Sequence, residues 1–174
     1  MIESTQRLRE MNKTSLRICV VTGTRADYGL LQPVMAALRD ASDFELITVA
    51  TGMHLSPEFG LTYQEIEADD FNIDARVEIL LSSDSGVGIA KSMALGTSGM
   101  ADAFAALKPD MVMLLGDRFE SLAAAQTALA MGLPLIHFSG GDVTEGAFDD
   151  AMRHAVTKMA SLHFVASVEA GHRV

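Results

Sequence analysis

Short apolar runs alternate with amphipathic stretches along this chain, and most runs are closed by glycine, aspartate or a small polar residue. Residues 15–21 form the first run, SLRICVV, whose β-branched and apolar character predicts a strand. Beyond it Leu30, Leu31, Val34, Met35 and Leu38 recur at helical spacing. Residues 40–43 make a turn, and 44–50 predict a second strand, apolar enough to be covered on both faces as parallel strands are. Residues 65–74 are acidic and irregular, while 77–81 fit either a short strand or a helical turn. From Ile89 the positions Met93, Met100, Phe104 and Leu107 predict a long helix, with Gly96 and Gly99 permitting close packing or a kink in its middle. Buried strands follow over 111–115 and 133–138, separated by an alanine-rich helix over 122–129. A helix over 149–160 and a strand over 163–166 complete the pattern.

This repeated order of strand, loop and helix predicts an α/β protein: a three-layer, Rossmann-like open parallel sheet with helices on both faces. The expected organisation is a flexible leader over 1–14 and a Rossmann-like domain over 15–166. Residues 167–174 begin a segment that would lead into a further, C-terminal domain not contained in this chain.

Composition narrows the partners. With 49% hydrophobic residues in 174, the chain can bury one sizeable core. A formal net charge of -10, from 13 Lys and Arg against 23 Asp and Glu, excludes a general affinity for nucleic acid phosphates. It leaves room for a small anion held locally by backbone N–H groups and a well-placed arginine. The one cysteine, Cys19, lies in the first strand and is expected to be a buried thiol in a reducing compartment. No stretch has membrane-spanning length or a secretory apolar region, so a cytoplasmic location without membrane partners is expected.

The chemistry gathers in four loops at strand ends, which a parallel sheet brings to one edge. Arg25, Asp27, His54, Glu58, Asp117, Arg118, Glu120, Asp142 and Asp149 are therefore candidates to converge. In TGTRADYG, Arg25 is a candidate phosphate or sugar contact, or else pairs with Asp27 or a partner domain; the loop lacks dinucleotide and triphosphate glycine spacing. His54, between Gly52 and Pro57, suits a ligand contact or a structural hydrogen bond equally. Asp117 follows a buried strand and Gly116, where desolvation would raise its pKa toward that of a proton-transfer group, whereas capping or pairing with Arg118 would lower it.

The most informative stretch is 137–154, HFSGGDVTEGAFDDAMRH, in which three glycines and four carboxylates separate a strand from a helix. Asp149 and Asp150 stand at the helix start, where capping alone would favour them. Arg153 and His154 are four residues after each, which predicts two acid-base pairs on adjacent lines of the helix. The His and Asp spacing matches no closed zinc pattern, and no metal is assigned.

Four separated motifs, TGTRADYGLLQPV at 22–34, TGMHLSPEFG at 51–60, GDRFE at 116–120 and GGDVTEGAFDDAMRHAVTKMASLHF at 140–164, together resemble the hydrolysing UDP-N-acetylglucosamine 2-epimerases of sialic, legionaminic and related nonulosonic acid synthesis. The resemblance covers the N-terminal half of such an enzyme and implies one half of a GT-B-like, two-domain fold with the active site in the interdomain cleft. It implies conversion of UDP-N-acetylglucosamine, or of UDP-N,N'-diacetylbacillosamine, to the free 2-epimer and UDP. The implied path loses the C2 proton and the anomeric C–O bond to give a glycal, then adds water. It implies no metal, nicotinamide or other cofactor.

Carried onto this sequence, the family's acidic catalytic positions fall on Asp117, Asp142 and Asp149. Many relatives have glutamate where Asp142 stands. Arg25, His54, Arg118, Glu120, Thr144 and Arg153 fall among the substrate-binding positions, and His154 is left a supporting role. Family members are homo-oligomers, which is expected here for the full-length enzyme. The chain by itself is expected to be inactive. Competing readings are a non-hydrolysing 2-epimerase, a binding or regulatory half-domain, and a UDP-sugar glycosyltransferase with a similar cleft.

Overall fold

The computed structural model describes residues 15–174; the expected leader over 1–14 lies outside the described residues. Among the described residues there are six strands: β1 (Leu16–Thr22), β2 (Phe44–Thr51), β3 (Ala75–Val77), β4 (Met111–Leu115), β5 (Leu135–Phe138) and β6 (Leu162–Phe164). Six α-helices join them: α1 (Arg25–Asp40), α2 (Tyr63–Ala68), α3 (Gly86–Leu107), α4 (Phe119–Ala130), α5 (Asp149–Met159) and α6 (Val168–Gly171). All strand pairings are parallel, in the order β3-β2-β1-β4-β5-β6. The fold is Rossmann-like α/β, with the strand order reversing between β1 and β4.

Side-chain alternation along the strands divides the core into two layers. On one face Cys19 and Val21 of β1, Val112 and Leu114 of β4 and Leu135 of β5 pack with Met100 and Phe104 of α3, Ala124 and Ala128 of α4 and Val156 of α5. On the other, Ile18, Val20, Met113 and Ile136 pack with Tyr28, Leu31 and Met35 of α1 and Ile66 of α2. Right-handed crossovers account for this split: connections running toward β3 lie on one side and those running toward β6 on the other. Cys19 is fully buried, and burial pushes its thiol pKa up.

Two local readings change. The segment over 65–74 is not wholly irregular, because Tyr63–Ala68 is helical and anchored by fully buried Ile66. The third strand is Ala75–Val77 rather than 77–81, set by its pairing of Val49 with Ala75 and Thr51 with Val77. A hydrogen bond from Thr51 Oγ1 to the Val77 carbonyl, 2.6 Å, ties that end of the sheet. In α3 the glycines serve close packing: a Cβ on Gly99 would stand 2.5 Å from Val77 Cγ1. The edge strand β6 is held partly by stacking of Phe164 on Phe138, with ring centroids 4.6 Å apart. No helix among the described residues is long and apolar enough to cross a membrane.

Candidate functional site

The reversal between β1 and β4 makes the loops at their carboxyl ends diverge, and the resulting crevice is where the charged residues gather. The β4–α4 loop carries Asp117 and Arg118, and these two turn to different partners. Arg153, on the second turn of α5, ion-pairs with Asp117, both side chains being less than one-fifth exposed. Arg118 instead pairs at 3.0 Å with Glu120, whose side chain is 2% exposed. The alternative of an Asp117–Arg118 pair therefore gives way to a longer-range contact that pins α5 to the end of β4.

Glu120 lies beneath the loops that follow β1 and β2. Its side-chain carbons would be 3.5 Å from a Cβ on Gly23, and its Oε1 2.7 Å from one on Gly52, so both loops press their backbones onto it. Asp27, in the first turn of α1, senses the charge of the same group. Burial raises its pKa, against the lowering effects of the Thr24 hydroxyl and the Arg118 guanidinium. The Thr24 side chain caps α1 by accepting from the Asp27 N–H at 3.2 Å.

Buried polar atoms without a hydrogen-bond partner are uncommon in native folds and mark places built for something else. Of the six such side-chain atoms among the described residues, four belong to this edge: Arg118 Nε, Glu120 Oε2, Asp149 Oδ1 and Arg153 Nε. Asp149 opens α5 but does not pair with Arg153, which reaches across to Asp117 instead. The second predicted pair is present, with His154 Nε2 3.3 Å from Asp150 Oδ2. Asp150 also accepts from the Thr144 N–H at 2.8 Å, fastening the 141–148 loop to the helix it precedes.

Asp142 is half-buried on that loop. Gly141 before it has φ +77° and is gripped from behind: Arg173 Nη1 donates to its carbonyl at 2.6 Å. Below the loop His137 is fully buried, sharing Nε2 with the Gly116 carbonyl at 2.8 Å and Nδ1 with Thr157 Oγ1 at 3.2 Å. Burial lowers its pKa.

Three of the candidate contact residues are placed as follows in this conformation. His54 does not face a ligand: it is fully buried, with Nε2 3.0 Å from Thr22 Oγ1 and Nδ1 2.8 Å from Thr62 Oγ1. Burial lowers its pKa to about 4, so it is a neutral ring cross-linking β1 to the start of α2. Arg25 pairs neither with Asp27 nor within the crevice; it is mostly exposed and lies 3.0 Å from Glu65 of α2. Thr144 is exposed and engaged through its backbone rather than its hydroxyl. The residues actually brought together are Asp117, Arg153 and Asp149 on one side, and Arg118, Glu120 and Asp27 on the other.

A family profile described as UDP-N-acetylglucosamine 2-epimerase matches residues 36–174. The chain belongs to this epimerase family. Among its relatives, a protein of Campylobacter jejuni named GDP/UDP-N,N'-diacetylbacillosamine 2-epimerase (hydrolyzing) is 49% identical over 86% of this chain and 38% of its own length. A Legionella pneumophila protein named UDP-N,N'-diacetylbacillosamine 2-epimerase (hydrolyzing) is 39% identical over 91% of this chain and 42% of its own. The chain thus spans about two-fifths of the length of these epimerases. In fold it is similar to the Neisseria meningitidis UDP-GlcNAc 2-epimerase crystallised with UDP-GlcNAc, at TM-score 0.80 and 20% identity, over 91% of this chain and 42% of the other.

Several residues that shape this epimerase-family edge escape a reading of motifs. Thr22, Thr62 and Thr157 satisfy the two buried histidines, and Arg173 holds Gly141 across 32 positions of sequence. Only the small-residue content of the loops hinted at such close approach. Among the described residues, no group of three or more His, Cys, Asp and Glu is arranged to hold a metal ion.

Proposed function

We propose that this chain is the N-terminal half of a GT-B-like hydrolysing 2-epimerase, which converts a UDP-linked N-acetylated sugar to the free 2-epimer and UDP. The observation carrying this reading is the Asp117–Arg153 pair beside the unpartnered oxygen of Asp149, at the crevice where an open α/β sheet receives ligands. Names of the Campylobacter and Legionella relatives support the hydrolysing branch over a nucleotide-retaining epimerase.

The reaction needs a base at C2, assistance to the departing UDP and a delivered water. Asp117 and Asp142 are the proton-transfer groups in this reading, placed on the two loops that follow β4 and β5. Removal of the C2 proton with cleavage of the anomeric C–O bond yields a 2-acetamidoglucal and UDP; water then adds at C1 as a proton is delivered to C2 from the opposite face. Asp149 orients the sugar through its hydroxyls, and the carboxylates stabilise positive character as it builds at C1. Arg153 orients Asp117, while Arg118 is held by Glu120 as a candidate substrate contact. The remaining nucleotide contacts belong to a second domain closing over this edge, so the isolated chain is inactive.

The test is UDP release and sugar product measured in the full-length parent and in this chain alone. Asp117→Asn and Asp142→Asn in the parent should each slow turnover by about 100-fold or more. Undiminished turnover in both variants would remove the assignment, and nucleotide retained on the epimerised sugar would move the enzyme to the non-hydrolysing branch.

A further inference from the structure

His137 stands in β5 in register with Leu114 of β4 and His163 of β6, and it is fully buried beside α5. Its two ring nitrogens reach past its own strand. Nε2 lies 2.8 Å from the Gly116 carbonyl oxygen, which can only accept, so Nε2 carries the proton and donates. Nδ1, 3.2 Å from Thr157 Oγ1, is then the acceptor for that hydroxyl in the neutral ring. Burial favours the neutral ring, with His163 and Arg153 adding to the effect and the Gly116 carbonyl and Asp117 opposing it.

These contacts lead to the residues next to both proton-transfer groups. Gly116 immediately precedes Asp117 and has φ +76°, a left-handed turn that its surroundings must hold. Its N–H donates to the Phe138 carbonyl at 3.0 Å, so both backbone polar groups of Gly116 are tied to β5. Gly140, two residues before Asp142, lies against the Nδ1 side of the ring: a Cβ there would be 2.9 Å from Nδ1 and 3.0 Å from Thr157 Oγ1. Arg153 and Thr157 are one turn apart on α5. One line of that helix therefore grips Asp117 twice, at its carboxylate through Arg153 and at its preceding peptide through Thr157 and His137.

We propose that His137 is a positioning residue for the reaction: its Nε2–H holds the Gly116 carbonyl while its ring seats Gly140, and together these set the separation of Asp117 and Asp142 across the crevice. The proposal rests on the 2-epimerase reading above and deepens it. Taking a proton from one face of C2 and returning one to the other requires two carboxylates at a fixed spacing, and a misplacement of about 1 Å costs on the order of 100-fold in rate. Both ring nitrogens are engaged within the protein, so the ring acts through the two aspartates and not on the sugar.

The experiment measures kcat and KM for UDP release by the full-length parent, with UDP-N,N'-diacetylbacillosamine and with UDP-N-acetylglucosamine, in the wild type, His137→Gln and His137→Asn, with folding verified by melting curves. Glutamine carries an N–H donor to the position of Nε2, whereas asparagine reaches only that of Nδ1. His137→Asn should lose about 100-fold in kcat with KM changed less than about threefold, while His137→Gln should stay within about tenfold of the wild type. A ring that serves packing alone would not order the two amides in this way. Equal kcat losses in both variants, an undiminished kcat in His137→Asn, or a loss confined to KM overturns the role of His137 alone. Should His137→Asn not fold, Thr157→Val decides: kcat should fall by about 3–10-fold at constant KM and recover in Thr157→Ser, and an unchanged kcat overturns the role. A wild-type parent that releases UDP from neither sugar removes the 2-epimerase reading along with it.

Discussion

Arg153 on α5 ion-pairs with Asp117 at the end of β4, 36 residues away in sequence, and this contact rather than any neighbour-to-neighbour pair positions the acidic edge of the sheet. Both side chains are largely buried, so removing either leaves the other charge poorly compensated. Arg153→Ala and Asp117→Ala should each destabilise the chain, and the double variant should cost less than their sum. A double-mutant cycle by urea unfolding should return a coupling of about 1–3 kcal/mol. Strict additivity would mean that the pair does not form in solution.

Gly141 is required by both its conformation and its surroundings. At φ +77° a side chain is strained, and a Cβ there would lie 2.4 Å from the Ala170 carbonyl oxygen. Gly146, with φ +81° on the same loop, has nothing within 4 Å of the corresponding position. Gly141→Ala should therefore cost about 3 kcal/mol or more, and Gly146→Ala about 1 kcal/mol, in chemical denaturation. Equal losses would show that α6 does not pack against the loop.

His54 should make stability depend on pH. Its folded pKa of about 4 is below the ordinary 6.5, so the folded state resists a proton that the unfolded chain accepts. Stability is fully present above pH 6.5 and declines as pH falls toward 4, by at most about 1.4 kcal/mol per pH unit for one such group. His137 acts in the same direction. His54→Asn should lower stability at pH 7 yet flatten the decline between pH 6.5 and 4, as read from urea midpoints. An unchanged slope would mean that His54 is protonated in the folded state.

Cys19 should be inert to thiol reagents in the native chain. It is fully buried and its pKa is raised by burial and by the nearby charge of Asp74, so the reactive thiolate is suppressed. Labelling with a chromogenic disulfide should proceed only as fast as unfolding, and should become rapid in denaturant.

Much of the candidate site was legible because strand ends in a parallel sheet share an edge, and the motifs mark those ends. That argument offered nine residues at one edge, among them Asp117, Arg118, Glu120 and Asp149, but it carried no information on side-chain direction. Hence His54, a loop residue between glycine and proline, was open to a ligand role, although two threonines 32 and 8 positions away hold it inside. Helical spacing likewise offered Arg153 to Asp149, and the tertiary fold gave it Asp117 because β4 ends beside α5.

The amino-acid sequence by itself determined the alternation of strand and helix, the two-sided burial of the sheet and the glycine-marked loops at its edge. Those follow from local periodicity and backbone freedom, which neighbouring residues decide. Only the tertiary structure decided which charges pair and which histidines are sealed. Those outcomes depend on distances between segments far apart in sequence, and such distances exist only once the strands have taken their order.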